Sequence, residues 1–293
     1  MYDIGKLYTA TSVSDACNLR VLHPDAELLA GGSDVLVQIR EGKRAGKEFI
    51  NIYGLDEIRG ICLNDNNDIH IGSLTSFSNI TKSPIIMEHI NVLGEAVNMV
   101  GGPQIRTIGT IGGNTCNGVT SADSASTLFA YDALVELTGT KGKRIVPIKN
   151  FYIKAKKVDI KPDEIQTCII IPRENYEGYK GHYIKYAMRN ALDIATTGCS
   201  VNAKLNSSKT HFEDVRIAYG VAAPIPIRAK SAEEFIKGKE ITKENIEEFA
   251  NIVLEDINPR TSWRASSSLR CHIAVQCAKR ALINCVSQLG GSI

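Results

Sequence analysis

Two glycine-rich loops contain the residues of this sequence that are best suited to binding a ligand. Their glycines let the backbone approach a ligand closely and adopt left-handed angles, and successive backbone N–H groups in such a loop form a concave site for an anion. Two loops of this kind in one domain predict a clamp around the two phosphates of a dinucleotide. The first loop consists of Glu27, Leu28, Leu29, Ala30, Gly31, Gly32, Ser33 and Asp34, and the second of Thr110, Ile111, Gly112, Gly113 and Asn114.

Neither loop carries a nucleotide-binding signature by itself. GxGxxG after a strand, with an acidic residue about 20 positions later, would indicate a Rossmann domain. GxxxxGK[ST] would indicate a P-loop, and neither pattern is present at these positions. Taken singly, a bare glycine loop is more often a tight turn than a ligand site, so the prediction depends on the pair.

No side chain is predicted to be catalytic or to bind a metal. The eight cysteines are scattered without a CxxC pair, and the six histidines form no HExxH. Zinc sites require such spacing. In a chain of this length without an export signal, the cysteines are expected to be free, buried thiols.

The composition favours a cytoplasmic globular protein of about two domains. Of the 293 residues, 43% are hydrophobic and 23% are charged, which allows a sizeable core and excludes disorder. A net charge of +2 and an aromatic content of 6% argue against nucleic acid as a partner. No run reaches the roughly 18 apolar residues of a membrane helix, and the N-terminus lacks the apolar segment of an export signal.

The elements around the loops are predicted to be short strands and helices. Ser33 and Asp34 are candidate N-caps for a helix that begins at Val35. The spacing of apolar residues from Pro84 to Val100 predicts one amphipathic helix. Strands are predicted at residues 27–30, 49–52, 69–72, 133–137 and 164–171.

The chain is predicted to divide near residue 176. Residues 1–176 would form the ligand-binding domain, and residues 177–293 would form a second domain. In that domain, strands at 182–189, 195–205 and 213–222 predict an antiparallel meander followed by helices, which is typical of an α+β layer. A capping box over residues 231–234 predicts one helix, Thr242 caps the next, and the last is predicted from Trp263 to about Gln288.

Longer stretches around the loops resemble a known family. AGGSD, GGPQIRTIGTIGGNTCNGVTSADS, DEI at 163–165 and HYIKYAMRNALDIAT at 182–196 are similar to the FAD-binding subunits of the molybdenum hydroxylases, the xanthine dehydrogenase and carbon monoxide dehydrogenase flavoprotein family. The resemblance covers essentially the whole chain. Within the family, the PQIRTIGTIGGNTCNGVTSADSA and SWRAS stretches most resemble the separate FAD subunit of bacterial xanthine dehydrogenases.

The resemblance implies an α+β fold of the vanillyl-alcohol-oxidase (PCMH) type. Two α/β subdomains would bind FAD non-covalently, with the glycine loops on its pyrophosphate, and a C-terminal α+β domain with an antiparallel sheet and helices would follow. Asn117 and Asp123 would contact polar groups of FAD, Ile165 would pack near the adenine, and Lys185 would lie near the flavin. The remaining contacts implied are Val100, Gly101, Gly102 and Ile105 along the flavin and ribityl region, and Gly109 beside the second loop.

The resemblance also implies the chemistry and the partners. A large molybdopterin-binding subunit would hydroxylate the substrate, a small 2Fe-2S subunit would relay electrons, and FAD on this chain would pass a hydride to NAD⁺. The chain would thus be the oxidoreductase flavoprotein of a heterotrimer, with xanthine dehydrogenase in purine metabolism as the leading interpretation. Two alternatives stay open: the FAD subunit of a nicotinate, carbon monoxide or aromatic acyl-CoA hydroxylase, and a non-enzymatic nucleotide-binding assembly protein.

Overall fold

The N-terminal unit is a small parallel sheet with two helices, in a computed structural model that describes residues 2–293. Its elements are β1 (Lys6–Thr9), α1 (Val13–Leu22), β2 (Glu27–Leu29), α2 (Val35–Arg40) and β3 (Glu48–Asn51). The strand order is β1-β3-β2, and β3 pairs in parallel with both neighbours. Parallel pairing requires a crossover between strands, and each helix provides one. The first three residues of the first glycine loop therefore form β2, and the rest of the loop leads directly into α2.

The second unit is a five-stranded antiparallel sheet with helices packed against it. Its strand order is β4-β5-β10-β6-β7, and all pairs are antiparallel. The central strand is the apolar run that ends at Ile171, and its residues are nearly all buried because α1 and α7 pack against it. The elements are β4 (Ile61–Leu63), β5 (Ile69–Gly72), α3 (Phe77–Lys82), α4 (Pro84–His89), α5 (Asn91–Asn98), α6 (Pro103–Ile108), α7 (Ile111–Cys116), α8 (Asp123–Ala130), β6 (Leu134–Gly139), β7 (Gly142–Pro147), α9 (Ile148–Phe151), β8 (Tyr152–Lys154), β9 (Lys157–Val158) and β10 (Ile165–Ile171).

The C-terminal unit is a four-stranded antiparallel meander covered by helices. Its elements are β11 (Lys180–Tyr186), β12 (Thr197–Leu205), β13 (Phe212–Gly220), β14 (Ile227–Arg228), α10 (Lys230–Ile236), α11 (Lys243–Ile252) and α12 (Ser267–Gln288). The strands pair in sequence order, and α12 packs on β11 and β12. The prediction of an α+β fold with an antiparallel C-terminal sheet is confirmed.

The predicted strands are all present, and their ends differ from the predicted ends by at most three residues. The predicted helix over residues 84–100 is wrong, because the chain breaks at Ile90, whose φ is −139°. The break lets α4 contact β4 while α5 contacts α8 and β11. One straight helix could not reach both sides of the core.

Two predicted helix starts are also wrong. Ser231 lies inside α10, and its hydroxyl donates to Asp256 Oδ1 at 3.3 Å instead of capping the helix. The last helix begins at Ser267 rather than at Trp263, because Ser266 caps it by accepting a hydrogen bond from the Leu269 amide. Within the described residues, no helix is long and apolar enough to cross a membrane.

Candidate functional site

Both glycine loops line one cavity of about 360 Å³. Gly31 in the first loop lies against the carbonyl of Ile108, which immediately precedes the second loop, so the loops face each other closely. The predicted contact residues that line the cavity are Glu27, Leu28, Ala30, Gly31, Gly32, Ser33, Asp34, Val100, Ile105, Gly109, Thr110, Gly112, Gly113, Asn114 and Asn117. Tertiary folding thus brings together two segments that are about 75 residues apart in the chain.

Glycine is required in both loops for steric reasons. A side chain at Gly31 would collide with the Ile108 carbonyl, and a Cβ at Gly112 would lie 2.6 Å from the Cβ of Ser73. Gly32 has a φ of +71°, which L-residues rarely adopt. Thr110 caps α7, since its Oγ accepts the Gly113 amide at 3.1 Å. The loops therefore present backbone rather than side chains to the cavity.

Seven of the predicted contact residues do not line the cavity: Leu29, Gly101, Gly102, Ile111, Asp123, Ile165 and Lys185. Leu29, Ile111 and Ile165 are buried in the apolar core. Gly101 has a φ of +49° and forms the turn that leads into α6. Gly102 lies beside Gln104 and the exposed Leu192. These five glycine and apolar residues therefore lie outside the cavity lining.

Asp123 and Lys185 form a buried ion pair instead. The Lys185 ammonium lies 2.8 Å from Asp123 Oδ2, and their side chains are 8% and 7% exposed. Asp123 also accepts the Tyr183 hydroxyl at 2.7 Å, and Lys185 donates to the Met99 carbonyl at 3.0 Å. Burial raises the pKa of Asp123 above its ordinary value, although Lys185 and Tyr183 act in the opposite direction. The pair joins β11 of the C-terminal unit to α8 and to the segment that precedes Val100.

Sequence reasoning missed ten residues that line the cavity. Most are apolar or lie on elements far from the loops in sequence, where no local motif marks them. Gln166 did carry a signal, because it is the first polar residue inside the apolar strand β10. The ten are Arg20, Val35, Arg44, Ile52, Ser73, Leu74, Phe77, Cys116, Ile160 and Gln166.

Two arginines line the cavity together with two carboxylates, those of Glu27 and Asp34. Arg44 is paired with Glu27 and donates to Gln38 Oε1 at 2.8 Å. Arg20 donates through Nε to the Pro162 carbonyl at 2.6 Å. Burial lowers the pKa of both guanidinium groups, but arginine stays protonated in proteins at neutral pH. Because these charges balance, the backbone N–H groups of the two loops remain the feature of the wall that suits an anionic ligand.

The two halves of the chain each match a known domain family. Residues 2–174 match the FAD binding domain in molybdopterin dehydrogenase, and residues 182–285 match the CO dehydrogenase flavoprotein C-terminal domain. The chain belongs to the FAD-binding subunits of the molybdenum hydroxylase family. It is thus an oxidoreductase subunit, and the resemblance inferred from its motifs is confirmed.

Individual relatives of this FAD subunit extend the match over its whole length. It is 38% identical over 293 residues, covering all of both chains, to the putative xanthine dehydrogenase FAD-binding subunit XdhB of Escherichia coli K12. It is 29% identical to the carbon monoxide dehydrogenase medium chain of Hydrogenophaga pseudoflava, with 89% of each chain covered. The solved carbon monoxide dehydrogenase of that organism, a form that lacks the Mo-pyranopterin moiety, matches with a TM-score of 0.91 and 28% identity over 99% of each chain.

The cavity of this FAD subunit fits a dinucleotide. Backbone from two glycine loops forms a cradle that a Cβ at Gly31 or Gly112 would fill. Ser73 Oγ and Gln166 Nε2 are buried in residues that line the same cavity, and neither atom has a hydrogen-bond partner among residues 2–293. The fit to a dinucleotide therefore rests on the cradle of loop backbone, and Ser73 and Gln166 add polar residues to its wall.

Proposed function

We propose that this chain is the FAD subunit of a xanthine dehydrogenase, in which FAD receives electrons from iron–sulfur clusters and passes a hydride to NAD⁺. The observation that carries the proposal is the facing pair of glycine loops around one cavity, in a chain 38% identical over its full length to a xanthine dehydrogenase FAD-binding subunit. The carbon monoxide and nicotinate dehydrogenase subunits at 29% identity support a second candidate, a related hydroxylase with another substrate.

The proposed FAD contacts follow from the cavity. Backbone N–H groups of the two glycine loops hold the pyrophosphate, and Val100 and Ile105 lie along the flavin. Asn117 contacts a further polar group of the cofactor. Asp123, Ile165 and Lys185 lie outside the cavity lining, and we retain them as contacts because the family resemblance implies them. Lys185 binds the carbonyl of Met99, the neighbour of Val100.

FAD, when bound, supplies a two-electron carrier between one-electron clusters and a hydride acceptor. The chain itself binds the cofactor, fixes its orientation and shields it from water. The proposed division of the chain follows this role, with residues 1–176 binding FAD through subdomains of about 1–55 and 56–176, and residues 177–293 packing beside it. The proposed partners are a molybdopterin-binding large subunit and a 2Fe-2S small subunit in a cytoplasmic heterotrimer.

Non-covalent FAD is tested by purification and denaturation. The purified chain is expected to be yellow with flavin absorbance and one FAD per chain, and acid precipitation should release all flavin into the supernatant. Colourless protein that takes up no FAD would contradict the proposed function, and would favour the non-enzymatic assembly role. Flavin retained on the precipitated chain would contradict non-covalent binding.

The division of labour is tested on the same preparation. The isolated chain should oxidise NADH with an artificial acceptor and should not turn over xanthine, because the molybdenum centre and clusters are proposed to lie on other chains. Co-expression with candidate partners, followed by affinity capture of this chain, should recover a complex with xanthine:NAD⁺ activity. Xanthine turnover by the isolated chain would contradict the proposal, and nicotinate or carbon monoxide turnover by the complex would select the second candidate.

A further inference from the structure

Two loops of the C-terminal unit expose a set of large apolar side chains. The first loop, residues 186–194, begins at the end of β11, and the second, residues 260–269, runs into the first turn of α12. Trp263, the only tryptophan of the sequence, is 76% exposed, and Met188 is 61% exposed. The other exposed large apolar residues of the two loops are Tyr186, Leu192, Ile194 and Leu269. We call these two loops together the two-loop surface.

Arg270 holds the two loops side by side. It is buried, and its guanidinium donates to the Thr196 carbonyl, just beyond the first loop, and to Ser262 Oγ of the second loop at 2.8 Å. The Thr196 amide in turn donates to the Tyr186 carbonyl at 2.7 Å, which closes the first loop. The two loops are therefore direct neighbours in the fold.

Asp193 holds the first loop in a fixed conformation. Its carboxylate accepts hydrogen bonds from the amides of Met188, Arg189 and Ile194 at 3.0, 3.1 and 2.9 Å. Leu192 has a φ of +55°, which residues other than glycine rarely adopt. A loop that is fixed before binding loses little conformational entropy when a partner docks. The first loop is thus preorganised for an interface.

The two-loop surface reaches the Val100 end of the cavity. Leu192 Cδ2 lies 3.0 Å from the position of a Cβ at Gly102, so the first loop packs against the turn that follows Val100. Lys185, one residue before the first loop, donates to the carbonyl of Met99 on the other side of Val100. Val100 lines the cavity and is proposed to lie along the flavin. A partner bound to this surface would therefore lie beside the flavin end of the cavity.

The two-loop surface has the composition that protein interfaces favour. Tryptophan, tyrosine, methionine and arginine are enriched in interfaces, while lysine and glutamate are depleted. The two loops contain Arg189, Arg260 and Arg264 but no lysine and no glutamate. The Arg264 guanidinium carbon lies 4.2 Å from the centroid of the Trp263 ring. Asp193 is the only carboxylate of the two loops, and backbone amides already occupy it. The surface thus fits a partner with an apolar centre and a rim of carboxylates.

The other strongly basic surface of the chain has a different character. Residues 141–161 carry seven exposed lysines, and their only exposed large apolar residues are Ile145 and Ile153. Because lysine is depleted in interfaces, this lysine-rich segment is typical of a solvated surface. It supplies exposed residues for control variants.

We infer that the two-loop surface is the docking site of the 2Fe-2S subunit, with Trp263 as the central apolar contact and the arginines facing carboxylates of that subunit. The inference rests on the proposed function and deepens it by giving this partner a place on the chain. Electron transfer from a cluster to a flavin falls steeply with distance, so the subunit that delivers electrons must dock at the flavin end of the cavity. The large subunit has no such requirement, because the 2Fe-2S subunit relays its electrons.

The test measures binding of the purified 2Fe-2S subunit to the full FAD-loaded chain by isothermal titration calorimetry. Trp263→Ala should weaken binding about 30-fold, which corresponds to about 2 kcal/mol, the cost typical of a central interface residue. Met188→Asp, on the other loop, should weaken binding independently, because it places a carboxylate against the proposed carboxylate rim. Arg264→Glu should weaken binding and reduce its dependence on ionic strength.

Ile153→Ala and Lys154→Glu are the matched controls. Both residues are exposed, but they lie on the lysine-rich segment, so binding of the 2Fe-2S subunit should stay within about twofold of wild type. FAD content and melting temperature should be unchanged in Trp263→Ala, because that side chain is mostly exposed. These two readouts separate docking from folding.

Three results would overturn the inference. They are unchanged affinity in both Trp263→Ala and Met188→Asp, equal losses in Arg264→Glu and Lys154→Glu, and failure of the wild-type chain to bind the 2Fe-2S subunit. In each case, FAD on the chain and xanthine:NAD⁺ activity of the complex would leave the proposed function intact. A wild-type chain that binds no FAD would instead overturn the proposed function and this inference with it.

Discussion

The buried ion pair between Lys185 and Asp123 offers a sharp test of how the two halves of the chain are held together. Replacing Lys185 with Met keeps most of the side-chain volume but removes the ammonium that lies 2.8 Å from Asp123 Oδ2. The carboxylate would keep only the Tyr183 hydroxyl at 2.7 Å. It would also remain buried, because its side chain is 7% exposed.

The expected loss of stability is large. Removing one partner of a buried pair typically costs about 3–5 kcal/mol, because an uncompensated charge stays buried. A chain of this size loses about 2 °C of melting temperature per kcal/mol, so we expect a fall of at least about 6 °C at pH 8. Lys204→Met is the matched control: its ammonium also lies 2.8 Å from a carboxylate, that of Glu213, but the two side chains are 36% and 50% exposed. Exposed pairs contribute about 0–1 kcal/mol.

The pH dependence identifies the charge as the cause. Burial already raises the pKa of Asp123, and loss of Lys185 removes the largest opposing influence, so the pKa rises further in the variant. A carboxyl whose pKa is higher in the folded state destabilises the protein above that pKa, and the penalty disappears as the pH falls and the group is protonated. The difference in melting temperature between Lys185→Met and wild type should therefore shrink from pH 8 to pH 5. Equal effects of the two Lys variants, or a pH-independent difference, would refute the reasoning.

Three further predictions concern the loops, the thiols and a helix cap. Gly112→Ala should lose most FAD binding because its Cβ would lie 2.6 Å from a neighbouring side chain, whereas Gly54→Ala, which has open space, should bind FAD like wild type in a fluorescence titration. Cys62 is exposed and should react with a thiol reagent within minutes, while Cys199, whose pKa burial raises well above its usual range, should react only after unfolding; fast reaction of all eight thiols would contradict the burial. Ser266→Ala should destabilise the chain by about 1 kcal/mol in thermal melts, since it removes the cap of α12, and an unchanged melting temperature would count against that cap.

The sequence-based predictions that proved correct were those that depend directly on backbone conformation. The glycine loops were predicted from residue type alone, because close backbone approach and a φ of +71° at Gly32 leave few other residues possible. Thr242 was likewise predicted as a cap, and its hydroxyl accepts the Asn245 amide. The apolar strand that ends at Ile171 was predicted because a strand covered on both faces needs no alternation of polar and apolar residues.

The predictions that failed were those in which a distant partner outweighed a local preference. Ser231 fits a capping box, yet it bonds to Asp256, 25 positions away. The expectation of buried cysteines was wrong for Cys62, which is exposed on the edge strand β4.

The sequence by itself determined the α+β class, the two glycine loops and the family resemblance, because residue type and spacing within short segments specify all three. Only the tertiary structure decided that Ser73 and Gln166 join those loops around one cavity, and that Asp123 pairs with Lys185 rather than lining it. Residues that are close in the sequence specify the local conformation of the backbone. Burial of polar groups depends on which distant segments pack together, because the free energy of a buried donor or charge is set by its partners in space.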